Sequence, residues 1–212
     1  TQPYIIQSNP NFQNTNPMIK KKRIAVFASG EGTNAEKLIK HFKDNSRIHV
    51  ELIVTNSSKA GVIKVAEKNG IAFSVINRSL LTNNSYMTSL LNLYDIDFIV
   101  LAGFLLLMPP FLVKLYDHRM INIHPALLPK HGGKGMFGLN VHQSVISSGE
   151  SESGVTIHYV NESYDKGKVI YQEKVKVDRR DTAEKLSKKI QEVEHRVLPE
   201  ITEKLIGEMS YY

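Results

Sequence analysis

Asn122 and His124 lie one residue apart in the run Met120-Ile-Asn-Ile-His-Pro-Ala-Leu-Leu-Pro129. A strand points alternate side chains to opposite faces. Ile121 and Ile123 can therefore enter an apolar core while Asn122 and His124 project together on the other side. Pro125 cannot donate a ladder hydrogen bond and biases His124 toward extended backbone. The strand is expected to end there, with an amide and an imidazole side by side at its C-terminal tip, the edge where open α/β sheets bind ligands. An amide donor beside a titratable ring suits a reaction in which an oxygen gains negative charge and protons move. A polar strand end without chemistry has the same local pattern, so the pair needs support from elsewhere in the chain.

Three further segments carry candidate chemistry. Ala28-Ser29-Gly30-Glu31-Gly32-Thr33-Asn34 follows an apolar run and opens a helix, where glycines let a ligand approach and N–H groups favour an anion. It is not a Walker A loop and lacks the full dinucleotide spacing, so it reads as a phosphate cradle or a structural turn. Glu31 would repel a phosphate and is expected to face solvent. Asp165 follows the strand that holds His158. It is either a turn former or a partner that orients His124, favours the charged ring and passes a proton through water. Lys130-His-Gly-Gly-Lys-Gly-Met-Phe-Gly138 is too glycine-rich for a helix or strand. It reads as a mobile flap from which His131, Lys134 or Met136 reaches a ligand, or as a plain long loop. His158 alternates with apolar neighbours, as a satisfied core histidine would. Glu194 and His195 fall on the last helix, where a solvated face is the default. No metal is expected: His-Glu-x-x-His is missing, and His124, His131 and His142 are not at ligand spacings. A serine nucleophile is equally unsupported, because Gly-x-Ser-x-Gly does not occur.

The elements that must position these residues alternate. Apolar strands are expected at 23–29, 50–55, 72–76, 98–102 and 120–124, with further strands at 154–160 and 169–177. Helices are expected at about 35–42, 62–69 with Gly70 as its stop, 82–94, 111–116, 141–147 and, capped by Asp181-Thr182, 183–206. Strands separated by helices imply an α/β fold with a mostly parallel, twisted sheet. The last two strands are close enough in sequence to form an antiparallel edge.

A chain of 212 residues with 42% hydrophobic and 23% charged residues has the composition of a soluble globular domain. We expect one domain over 18–212, with Met18 as a sensible native start. Residues 1–17, rich in Asn, Gln and Pro, read as a disordered or expression-derived arm. No run approaches the roughly 18 apolar residues of a membrane helix, so no membrane partner is expected. Cysteine is absent, which excludes disulfides within the chain and fits a reducing compartment. With no secretory pattern in the first residues, the expectation is cytoplasmic. The formal charge of +6 points weakly to an anionic partner. No basic stripe interleaved with aromatics supports nucleic acid; small phosphorylated or carboxylated ligands fit as well.

Taken together, Ser29–Asn34, Leu101-Ala-Gly-Phe104, Ile121–Pro129, Gly154-Val-Thr-Ile-His158, Asp165-Lys-Gly167 and Glu194-His195 closely resemble the phosphoribosylglycinamide formyltransferases of purine biosynthesis. The segments occur in family order and span residues 20–207. The resemblance implies the Rossmann-like formyltransferase fold, with helices on both faces of the sheet and one catalytic domain. It implies 10-formyltetrahydrofolate as cosubstrate, phosphoribosylglycinamide as the other small-molecule substrate, no metal, and a monomer or homodimer. Residue by residue, Gly32, Thr33 and Asn34 match the positions that hold the ribose phosphate, and Glu194 a glycinamide contact. Leu105, Leu106, Leu107 and Met108, with Asn122, match the folate pocket. Asn122, His124 and Asp165 match the catalytic trio, with Asn122 and protonated His124 on the oxyanion and Asp165 relaying a proton. Two positions depart from the pattern: Asn83 and Leu106 stand where relatives often carry arginine, and Lys134 is the candidate to replace them at the folate tail. Hydrolysis of the same cofactor and formyl transfer to an amino-sugar nucleotide are the rival reactions. A noncatalytic anion-binding module is the rival class.

Overall fold

The computed structural model describes residues 21–209; the arm read over residues 1–17 and the start at Met18 lie outside the described residues. The chain falls into two compact units. One ends at Leu106 and resumes at Glu203, and the other is Leu107–Thr202.

The first unit carries β1 (Lys22–Phe27), α1 (Thr33–Phe42), β2 (Ile48–Thr55), α2 (Val62–Asn69), β3 (Ala72–Val75), α3 (Arg78–Thr82), α4 (Asn84–Leu93) and β4 (Phe98–Ala102). Its strands run in the order β3-β2-β1-β4, with every pair parallel. Sequence explains the arrangement. All five residues of β4 are buried, as are Ile24–Phe27 of β1, and strands covered on both faces read as continuous apolar runs. Gly70 ends α2 in the left-handed region and donates its N–H to Ala66 and Glu67 carbonyls, the C-cap that glycine allows. The helix expected over 82–94 is α4, and a short helix that the sequence reading did not include, α3, precedes it. Asn77 Oδ1 accepts the N–H of Leu80 at 2.8 Å and Asn83 Oδ1 that of Tyr86 at 3.0 Å. Each asparagine caps a helix start, so α3 and α4 are separate helices that meet at Asn83. Part of the basic tract is neutralised locally: Lys22 meets Asp97 at 3.5 Å and Arg23 meets Asp95 at 3.6 Å.

The second unit holds α5 (Pro110–Leu115), β5 (Met120–His124), α6 (Leu139–Ser147), β6 (Glu152–Tyr159), β7 (Val169–Lys176) and most of α7 (Ala183–Glu208). Here β5, β6 and β7 pair antiparallel in sequence order. The β5–β6 register sets Asn122 opposite His158 and His124 opposite Thr156. Thr182 Oγ1 accepts the N–H of Lys185 at 3.3 Å and so caps α7, whose Ala183, Leu186, Ile190 and Val197 are buried. The chain is therefore α/β, mostly parallel with an antiparallel edge. No helix of the described residues is long and apolar enough to cross a membrane.

Candidate active site

The tip of β5 builds a buried polar cluster in the second unit. Nδ2 of Asn122 donates to Nε2 of His158 at 3.0 Å and to Oδ1 of Asp165 at 3.3 Å. The same Oδ1 lies 3.6 Å from Nδ1 of His124. The loop after β6 thus brings Asp165 to the pair on β5, within direct or single-water reach of the imidazole. Asp165 sits at φ 55°, a backbone region that aspartate tolerates better than most residues. Its second oxygen accepts the N–H of Gly133 at 2.8 Å.

Hydrogen-bond partners assign the protons. His158 Nδ1 faces only an acceptor, the carbonyl of Tyr159 at 2.8 Å, so it carries the hydrogen. Nε2 of the neutral ring then accepts from Asn122. Both amide hydrogens of Asn122 are consequently in use, one on His158 and one on Asp165. His124 follows the same logic: Nε2–H donates to the carbonyl of His131 at 2.8 Å, which leaves the Nδ1 lone pair turned to Asp165.

His124 is 3% exposed. Burial pushes its pKa below the ordinary histidine value and outweighs the opposing pull of Asp165 and the His131 carbonyl. The folded chain therefore holds this ring neutral near pH 7, whereas the resemblance implies a charged one. For Asp165, burial works upward, but His158, His124 and the Gly133 N–H together bring its pKa below the usual carboxylate value. The contributions of both rings require them charged: a neutral His158 with its hydrogen on Nδ1, 3.6 Å away, offers Asp165 no donor, and neither does a neutral His124 with its hydrogen on Nε2. Gly133 is the firm anchor.

Among the loop and strand residues singled out in the sequence, His131 is the one placed differently. His131 does not reach outward; its Nδ1 pairs with Ser144 Oγ at 2.9 Å. Lys134 is exposed. His158 is buried as a core histidine should be, yet its ring meets Asn122, and Gly133 supplies a main-chain donor to Asp165. The period-2 pattern placed His158 on one face of its strand, but its pairing with Asn122 needed the β5–β6 register.

In the first unit, the glycine turn links β1 to α1. Gly32 has φ 78°, and a Cβ there would lie 2.6 Å from Val62 Cγ2, so the position requires glycine. No side chain of the N-cap residue closes α1, and Glu31 is exposed, as an anion cradle requires. The Ser29 hydroxyl donates to Asn56 Oδ1 and accepts the Leu105 N–H at 3.0 Å, tying the turn to the segment after β4. Leu105 is 40% and Leu107 37% exposed. Among the described residues none hydrogen-bonds the main chain of Leu106, Leu107 or Met108. Asn83 is occupied as the α4 cap and Leu106 is apolar, so neither replaces an arginine. Glu194 is half-buried on α7. Among the described residues no group of three His, Cys, Asp or Glu is placed to hold a metal ion.

Comparison with known proteins places the chain in a family. The family model described as formyl transferase matches residues 22–202. A chloroplastic phosphoribosylglycinamide formyltransferase of Arabidopsis thaliana is 40% identical over 188 residues, covering 86% of this chain. The phosphoribosylglycinamide formyltransferase of Bacillus subtilis is 32% identical over 191 residues, covering 88% of this chain and 95% of that protein. The crystal structure of the Bacillus halodurans enzyme of that name superposes with a TM-score of 0.78 at 37% identity, over 87% of this chain and 95% of its own. The chain spans 64% of the length of the Arabidopsis relative and 18% of a trifunctional purine biosynthetic protein of Bos taurus. On the extent of these matches, the chain belongs to the formyl transferase family.

Proposed function

We propose that the chain transfers the formyl group of 10-formyltetrahydrofolate to the amino group of N1-(5-phospho-D-ribosyl)glycinamide, a step of purine biosynthesis. The observation that carries this reading is the single Asp165 oxygen in reach of both Asn122 and His124. In the reaction the amine nitrogen forms a bond to the formyl carbon and the carbonyl oxygen becomes an oxyanion. Asn122 turns one N–H from Asp165 to that oxyanion, which frees the Asp165 oxygen to take the proton of the attacking amine, directly or through one water. His124 takes a proton on Nδ1, the nitrogen its tautomer leaves open, and in that charged form supplies the second donor. Collapse breaks the bond to the folate nitrogen, which receives the relayed proton.

In this reading Gly32, Thr33 and Asn34 hold the ribose phosphate and Glu194 the glycinamide. Main-chain groups of Leu105, Leu106, Leu107 and Met108, with Asn122, hold the folate ring. Residues 18–212 act as one catalytic domain, in the cytoplasm, as a monomer or homodimer without metal. The test is a formyl-transfer assay with both substrates, followed by absorbance. Formate released without any amine acceptor would instead identify a hydrolase. No absorbance change at high enzyme concentration would end the reading.

A further inference from the structure

Residues 131–133 hold both members of the His124–Asp165 pair. The His131 carbonyl accepts His124 Nε2–H, and the Gly133 N–H donates to Asp165 Oδ2, each at 2.8 Å. Gly132 between them has no room for a side chain: a Cβ there would run into Leu128 Cδ2 and come within 3.2 Å of Asp165 Cβ. His131 itself has φ 54°, a region that costs a residue bearing a Cβ and persists only where the surroundings enforce it. Its ring supplies that enforcement. Nδ1 pairs with Ser144 Oγ on α6 at 2.9 Å, and Nε2 lies 3.8 Å from Glu150, which Lys130 also meets at 2.8 Å. The side chain is 11% exposed, so this is a packed anchor.

We propose that His131 is a positioning residue: its ring, pinned to Ser144, holds its own main-chain carbonyl on His124 and so selects the imidazole tautomer with hydrogen on Nε2. This rests on reading His124 and Asp165 as catalytic. A carbonyl can only accept, so it fixes the hydrogen on the nitrogen that faces it. Without that acceptor, the Asp165 carboxylate on the other side draws the hydrogen to Nδ1. The ring then has no lone pair toward Asp165 and cannot take a proton there. Nδ1 of the ring is held by Ser144, while Nε2 is buried without a hydrogen-bond partner, 3.8 Å from Glu150, so the side chain acts from inside the fold.

The deciding measurement is nitrogen NMR of the imidazole rings at neutral pH, with the His124 signals identified by their loss in His124→Gln. The parent should show one tautomer, hydrogen on Nε2. His131→Ala and Ser144→Ala should both admit the other tautomer. Their kcat should fall about 10–100-fold with KM unchanged, the range typical when an orienting partner of a functional histidine is removed. His131→Asn, which tolerates the positive φ and offers an amide to Ser144, should restore both readouts. Folded variants that keep the single tautomer and the parent kcat would overturn the proposal. If His131→Ala does not fold, Ser144→Ala decides, because it leaves the loop backbone unaltered. The tautomer is read without substrate, so a parent that transfers no formyl group defeats the proposed function and leaves the positioning role to be judged on the rings alone.

Discussion

Asn122 and Asp165 are joined by a hydrogen bond of 3.3 Å across 43 residues of chain, from the amide Nδ2 to a carboxylate oxygen that also faces His124. The bond makes the donor of the proposed oxyanion site and the proposed proton carrier a single unit. Removing any member should cost turnover. Asn122→Ala, His124→Ala and Asp165→Ala are each expected to lower kcat by at least ~10²–10³, the usual loss for one oxyanion donor. Steady-state rates within about tenfold of the parent would contradict the assignment.

Gly132→Ala should act on the same unit without touching its chemistry. The new methyl group displaces the end of the Leu128 side chain and lies 3.2 Å from Asp165 Cβ, which should give by a few tenths of an ångström. A misplacement of about 1 Å at a reacting group costs about 10²-fold in rate, so this smaller shift should cost roughly three- to tenfold. The variant should remain folded by circular dichroism while kcat drops. Unchanged kinetics would show that the loop yields instead.

Ser29→Ala tests the tie between the glycine turn and the segment after β4. It removes the acceptor of the Leu105 N–H and the donor to Asn56. A lost neutral hydrogen bond is worth about 1 kcal/mol, so the KM for 10-formyltetrahydrofolate should rise roughly fivefold with kcat nearly unchanged. An equal rise in both substrates' KM would instead point to general loosening of the unit.

Stability should depend on pH through His142. This ring is buried, its Nδ1 makes no hydrogen bond, and burial, then the charge of His124, pushes its pKa down to about 4. Between an unfolded value near 6.5 and that folded value, the unfolded chain binds a proton that the folded chain refuses. The stability is therefore complete above about pH 6.5 and is lost as pH falls toward 4, at about 1.4 kcal/mol per pH unit. His124, also depressed by burial, adds in the same direction. Urea melts at pH 7.5 and pH 5 should show a drop that His142→Leu reduces. A drop of equal size in the variant would place its origin elsewhere.

The elements that the sequence specified best are those with a local cause. Phe98–Ala102, Met120–His124 and Val62–Asn69 have the predicted limits, because an apolar run or a helical stripe ends at a proline or glycine that cannot continue it. The five-residue α3 escaped the periodicity reading: with Leu81 as its buried residue it is too short to show a helical stripe, and its start rests on the one hydrogen bond of the Asn77 cap.

For the site, the sequence by itself determined that Asn122 and His124 share a face of one strand, since alternation is built into extended backbone, and that a glycine turn precedes α1. Tertiary structure decided the rest. His158 entered the cluster through the antiparallel register opposite Asn122. Asp165 arrived through a loop held by Gly133, and the His124 tautomer was set by a main-chain carbonyl that no residue type announces. The charge on His124 was also decided there: neighbour identity favoured the imidazolium, but burial removed the water that would have stabilised it, and in a folded interior desolvation outweighs one carboxylate.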